Sequence, residues 1–135
     1  MTDVVIDASA LIELLLATEI GGAVGAELRR LECRVLHSPG HVVAEAVQGL
    51  RGIAMGQADL CGPCERAATH LSGLPMRLWD TRPLIARMWQ LRANISAYDA
   101  AYPALAEVTA LPLITTDRRL ARAVLGSSRC EVLAL

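Results

Sequence analysis

Four carboxylates stand where the chain offers them little polar company. Asp7 follows the apolar run Val4-Val5-Ile6, Asp117 follows Leu113-Ile114-Thr115-Thr116, and Glu45 and Asp99 sit in stretches rich in alanine and valine. Carboxylate oxygens, supplemented by water, are the ligands that hard divalent cations such as Mg2+ or Mn2+ prefer. A cation held in this way generates hydroxide and steadies phosphoryl charge during an in-line displacement. Each acid also has a plain structural role open to it. Asp7 can cap a helix beginning at Ala8, Asp117 can cap one beginning at Arg118, and Asp99 lies three residues after Ser96, the spacing of a capping box. Glu45 shares a helical stripe with His41, Gln48 and Gly52, as a solvated face would. Four acids in apolar surroundings are harder to account for in this way than any one alone.

The elements that must carry these residues alternate short β-branched runs with longer helical stretches, which predicts an α/β fold built of βα units around a mostly parallel sheet. Strands are expected at Val4–Ile6, Arg34–Leu36, Met76–Leu78, Leu113–Thr115 and Glu131–Leu133, about five in all. His37-Ser38-Pro39-Gly40 is expected to close the second strand as a turn. Helices are expected at Ala8–Ala17, Gly21–Arg30, Val42–Met55, Ala58–Leu71 with a break near Pro63, Thr81–Arg92, Ser96–Ala110 and Asp117–Leu125. In an open parallel sheet ligands bind beyond the carboxyl ends of the strands. Asp7 and Asp117 each follow a strand, so both can face one cavity there.

Composition narrows the chemistry further. The 135 residues are 53% hydrophobic and 20% charged, enough for one α/β sandwich over residues 1–135 and too apolar for a disordered chain. Phenylalanine is absent, and only Trp79, Trp89, Tyr98 and Tyr102 are aromatic, which argues against a platform that stacks successive bases. A net charge of -1 creates no general attraction to nucleic acid or to an anionic membrane. All 13 basic residues are arginine, so phosphate loops of the G-K-[ST] type and Schiff-base catalysis are excluded. The N-terminus has no basic segment before its apolar run, and no stretch is long enough to span a bilayer; no membrane partner is expected, and the expected location is cytoplasmic.

Cys61-Gly62-Pro63-Cys64 has the spelling of a redox dithiol, but MGQADL before it has no β-branched run from which a thioredoxin-like site would start. No second C-x-x-C supports a zinc site. Gly21-Gly22-Ala23-Val24-Gly25 follows a helix and makes a poor dinucleotide loop. His37 and His41 flank Ser38-Pro39-Gly40 without a partner at useful spacing, and are expected as ordinary turn or helix-start residues.

VVIDASAL, VVAEAVQGL, YDAAYPALAE and PLITTDRRLARA, in that order from the start of the chain to Ala123, resemble the PIN domain and, within it, the VapC-type toxins of toxin–antitoxin pairs. The resemblance implies a three-layer α/β/α sandwich and a metal-dependent endoribonuclease using Mg2+ or Mn2+. It carries over Asp7, Asp99 and Asp117 as metal-site acids, Glu45 as the fourth acid of the pocket, and Ser9 and Thr115 as supporting hydroxyls. Arg118, Arg119 and Arg122, directly after Asp117, are the candidates for RNA phosphate contact. The implied partners are RNA, a small antitoxin protein and a second copy of the chain in a homodimer. A PIN-like binding subunit without activity, and a thiol oxidoreductase using Cys61 and Cys64, are the rival readings. Pro103 inside the Asp99 helix departs from the family pattern and leaves the direction of Asp99 open, because proline removes a helical hydrogen bond.

Overall fold

Five short aliphatic runs form one parallel sheet in the computed structural model, which describes residues 1–135. The strands are β1 (Val4–Ile6), β2 (Leu36–Pro39), β3 (Met76–Trp79), β4 (Leu113–Thr115) and β5 (Val132–Ala134), in the order β3-β2-β1-β4-β5. Seven helices connect them: α1 (Ala8–Leu16), α2 (Glu19–Arg30), α3 (Val42–Gly56), α4 (Cys61–Gly73), α5 (Ile85–Gln90), α6 (Ala97–Thr109) and α7 (Arg118–Ser127). The chain runs outward from β1 through β2 to β3, then returns to the other side of β1 for β4 and β5. Right-handed crossovers in these two directions place α1 to α4 on one face of the sheet and α5 to α7 on the other. The packing agrees, with α1 against α2, α3 and α4, and α6 against α5 and across β1, β2 and β4. The order of the strands reverses between β1 and β4, the crevice where open parallel sheets bind ligands.

That crevice is walled by fully buried strands. Val4, Val5, Ile6, Leu113, Ile114 and Thr115 are all fully buried, whereas the edge strands β3 and β5 are partly exposed. The core is aliphatic, as the absence of phenylalanine requires, and Tyr102 on α6 is its largest fully buried side chain. No single helix is long and apolar enough to cross a membrane.

The structure corrects several boundaries. β2 starts at Leu36 and includes His37, Ser38 and Pro39, which pair with β3 instead of forming a turn. Arg34 and Val35 are kept out of the sheet because their backbone N–H groups both donate to Asp3 Oδ1, at 3.0 Å each. The second helix begins at Glu19, capped by Thr18, whose hydroxyl accepts from Gly21 N–H. Ala58–Leu60 is a 3-10 turn, and α4 starts at Cys61 with Pro63 in its first turn, where a missing N–H breaks no helical bond. Arg82–Leu84 is likewise a 3-10 turn, and α5 ends at Gln90. α6 continues through Pro103 from Ala97 to Thr109.

Candidate functional site

The first two acids are placed by the ends of adjacent strands and by the helices that follow. Asp7 leaves β1 in an extended conformation and caps α1, its Oδ1 accepting from Ala10 N–H at 2.9 Å and from the Ser9 hydroxyl at 2.7 Å. Its Oδ2 accepts from the Thr115 hydroxyl at 2.5 Å, a bond that links the ends of β1 and β4. Asp117 repeats the arrangement after β4, capping α7 through Leu120 N–H at 3.1 Å, while its own N–H donates to Thr115 Oγ1 at 3.0 Å. Ser9 Oγ also accepts from Thr116 N–H. Ser9 and Thr115 therefore fix the two strand ends relative to one another. The capping roles open to Asp7 and Asp117 are real, and they leave the two carboxylates close enough for the charge of Asp117 to act on Asp7.

Asp99 and Glu45 arrive from opposite faces of the sheet. Ser96 caps α6 by accepting from Asp99 N–H, so the cap is made with the backbone of Asp99 and not with its carboxylate. Glu45 stands on the first turn of α3, and Asp99 on the first turn of α6. Together with Ala44, Gln48, Ser96 and Tyr98 they line an open cleft of about 460 Å³. A larger cavity of about 840 Å³ lies between α1 and α4, but it presents a single carboxylate, Glu65.

Electrostatics couples the acids in pairs, Asp7 with Asp117 and Asp99 with Glu45 and Asp117. Burial pushes the Asp7 carboxyl above its ordinary range, and the charge of Asp117 adds to the rise against hydrogen bonds from Ala10, Thr115 and Ser9. Asp99 is raised by burial and then by the charges of Glu45 and Asp117, with Ser96 and Arg119 opposing. Asp7, Asp99 and Asp117 form no salt bridge with any arginine. Glu45 differs: burial raises it, but hydrogen bonds from His41 and Tyr102 outweigh burial and leave it below the ordinary value. Of the three candidate phosphate contacts, Arg119 lies close enough to act on Asp99, and Arg118 and Arg122 are exposed on the same helix.

No three histidine, cysteine, aspartate or glutamate side chains stand close enough to hold one metal ion directly between them. The donors are all carboxylate oxygens, however, and they repel one another without a cation between them. This set suits a hard ion such as Mg2+, which keeps several of its waters and takes one or two carboxylates directly. Soft-metal chemistry has no matching site. Cys61 is exposed and Cys64 buried at the start of α4, which follows a 3-10 turn and α3, not a strand.

His41 is not an ordinary helix-start residue. Its Nε2 lies 2.9 Å from Glu45 Oε1 and 2.9 Å from the Tyr98 carbonyl, and Tyr102 donates its hydroxyl to the same Glu45 oxygen at 2.9 Å. The signal was in the sequence, since a histidine four residues before a glutamate on a helix faces it. His37, expected in a turn, lies in β2, where Trp79 donates to its Nδ1 at 3.1 Å. Tyr102 gave no such signal, because its place opposite Glu45 depends on two helices that are distant in sequence.

A parallel sheet of order 3-2-1-4-5 with acids at the ends of its two central strands defines a class, and the PIN domain family model matches residues 4–124. The chain belongs to the PIN domain family. Among its relatives are two proteins of Mycobacterium tuberculosis. Ribonuclease VapC12 is 36% identical over 131 residues, covering 97% of this chain and 99% of that protein. Ribonuclease VapC9 is 35% identical over 131 residues, covering 96% and 95%. The crystal structure of PAE2754 from Pyrobaculum aerophilum shares the fold, with a TM-score of 0.66 and 23% identity over 96% of this chain and 89% of that one.

Proposed function

We propose that the protein is a divalent-metal-dependent endoribonuclease, the toxin of a toxin–antitoxin pair, acting on RNA in the cytoplasm. One observation carries this reading above the others. Asp7 and Asp117 leave the two strands that flank the reversal in strand order, Asp117 acts on both Asp7 and Asp99, Asp99 feels Glu45 as well, and neither Asp7 nor Asp117 has an arginine salt bridge to neutralise it. The full-length relatives named as ribonucleases support the substrate class.

Asp7, Asp99 and Asp117 would hold Mg2+ or Mn2+, in part through water. When bound, the cation supplies an acidic water and offsets phosphoryl charge. Glu45, kept ionised below the ordinary carboxylate range, orients the attacking water and accepts its proton. Thr115 and Ser9 hold Asp7 in one rotamer, since both of its oxygens accept hydroxyl bonds. Arg119 beside Asp99, with Arg118 and Arg122 on the same helix, binds backbone phosphates flanking the scissile one. The net charge of -1 makes this local cluster the source of affinity for RNA. The antitoxin would close the acid pocket with a cationic side chain in place of the metal. A homodimer is part of the same reading.

The test is cleavage of a mixed-sequence single-stranded RNA by purified protein with Mg2+ or Mn2+, with an EDTA control. The expected result is cleavage with metal and none in EDTA. Cleavage that persists undiminished in EDTA, or RNA left intact under every metal condition, overturns the proposal.

A further inference from the structure

His41 and Tyr102 approach Glu45 from two different helices and converge on the same carboxylate oxygen. His41 precedes α3 and lies four residues before Glu45, while Tyr102 lies three residues after Asp99 on α6. Tyr102 donates to Oε1 at 2.9 Å, His41 Nε2 lies 2.9 Å from the same oxygen while sharing its one N–H with the Tyr98 carbonyl, and Oε2 accepts from no protein group. The two neighbours of His41 Nε2, Glu45 Oε1 and the Tyr98 carbonyl, are both acceptors, so this nitrogen carries a proton. The His41 ring also packs on Tyr102, with centroids 5.4 Å apart. The Tyr102 hydroxyl is the polar end of a side chain only 1% exposed, in a core where its ring cannot move aside.

We propose that His41 and Tyr102 are positioning residues for Glu45: Tyr102 donates to Oε1 and the His41 N–H, shared with the Tyr98 carbonyl, lies against the same oxygen, so that Oε2 is the oxygen presented to the attacking water. The inference rests on the ribonuclease reading. A glutamate on an open helix face samples several rotamers about three rotatable bonds, and only some of them aim its carboxylate into the cleft. Two donors on one oxygen remove that freedom and fix which oxygen remains. The same contacts tie the first turn of α3 to that of α6 through the Tyr98 carbonyl and the Tyr102 hydroxyl. The distance between Glu45 and Asp99 is thereby set by hydrogen bonds as well as by packing. A helix-start ion pair between His41 and Glu45 alone would need neither Tyr102 nor the carbonyl contact.

The experiment measures kcat and KM for a defined oligoribonucleotide at saturating Mn2+, together with the melting temperature of each variant. Tyr102→Phe keeps the buried ring and removes one donor, and His41→Ala removes the other. Each should lower kcat about 10-fold with KM unchanged within twofold, a loss typical of groups that orient a reacting side chain. His41→Gln places an amide N–H where Nε2 stood and should recover most of the activity lost in His41→Ala. In a Glu45→Ala background the His41 and Tyr102 substitutions should cause no further loss, because they act only through Glu45. Wild-type kcat in Tyr102→Phe and His41→Ala overturns the proposal, as does an equal additional loss in the Glu45→Ala background. If Tyr102→Phe fails to fold, the comparison of His41→Ala with His41→Gln decides the question by itself. Wild-type protein that cleaves no RNA at all defeats the ribonuclease reading first, a result distinct from normal cleavage by the variants.

Discussion

Two acid-bearing regions of the molecule treat their charge in opposite ways. At the end of α6, Glu107 accepts from Arg87 through both carboxylate oxygens, at 2.8 and 3.0 Å, and from the Ser128 hydroxyl at 2.6 Å. The Arg87 guanidinium holds its carboxyl below the ordinary range despite partial burial. At the beginning of the same helix, Asp99 faces Glu45 and Asp117, forms no salt bridge, and is raised. One helix thus carries an acid neutralised by the fold and an acid left to repel its neighbours. Arg87 also donates to the Ser127 carbonyl, so the neutralised acid belongs to a brace joining α5, α6 and the end of α7. Charge that serves the fold is compensated inside the protein. Charge left uncompensated at the ends of buried strands lowers stability, and its persistence there is explained by a cation or substrate from outside.

The largest effect that can break this contrast is on catalysis. Asp7→Asn, Asp99→Asn and Asp117→Asn each keep the side-chain shape and remove the charge that holds a divalent ion. Each should reduce RNA cleavage roughly 100-fold or more, while far-ultraviolet circular dichroism stays that of the wild type. Glu107→Gln should leave kcat within a few fold. Near-normal cleavage by all three aspartate variants would remove the distinction between the two regions.

Much of the contrast was legible in the residue order. The runs before Asp7 and Asp117 announce buried strands, and a buried parallel strand puts the next residue at its carboxyl end; the pairing of β1 with β4 follows that expectation. Ser96 three residues before Asp99 announced the start of α6, and Pro103 did not stop it. Side-chain contacts between residues far apart in sequence were not legible. β2 is shifted because Asp3 captures the N–H groups of Arg34 and Val35, across 31 and 32 positions. The bond between Tyr102 and Glu45 spans 57 positions, and no local pattern encodes it. His41 is a different case, since its spacing from Glu45 was visible and only its partners on α6 were not.

The second effect sharpens the contrast through binding. Mn2+ or Mg2+ bound by the folded state alone adds RT ln(1 + [L]/Kd), ~2.7 kcal/mol at a hundredfold excess over Kd. For a chain of this length that is a rise in melting temperature of roughly 10 °C. Asp99→Asn should show little of the rise, whereas Glu107→Gln should show all of it. Equal metal stabilisation of wild type and Asp99→Asn in a thermal melt would place the cation elsewhere.

A smaller effect belongs to the neutralised region. Glu107→Gln weakens a pair that is partly open to solvent, with side-chain exposures of 33% for Arg87 and 21% for Glu107. Solvent screening limits the loss to about 1 kcal/mol, or roughly 4 °C in melting temperature. The loss should be the same with and without Mn2+. A shift that depends on the metal would join Glu107 to the site from which the structure separates it.

The smallest effect is the dependence of metal-free stability on pH, and its sign follows from the same contrast. Asp7 and Asp99 have folded values raised above the ordinary 3.8, by burial first and by neighbouring carboxylates after it. The folded state then holds protons that the unfolded chain has released, so stability falls as pH rises through the folded values. His41 is raised above 6.5 by its bond to Glu45, and the stability it contributes is complete below 6.5 and lost as pH rises through its folded value. Glu45 and Glu107 are lowered from 4.5, and their contribution grows as pH rises toward 4.5 and is complete above it. Above about pH 5.5 the groups still changing are therefore those that lose stability. Melts in EDTA should show a higher transition at pH 5.5 than at pH 8.5, by a few degrees. Asp99→Asn cannot ionise at this position and relieves Glu45 and Asp117 of a like charge. It should melt above wild type at pH 8.5 without metal. If Asp99→Asn melts lower than wild type at both, its carboxylate serves α6 as Glu107 does, and the two ends of that helix are alike.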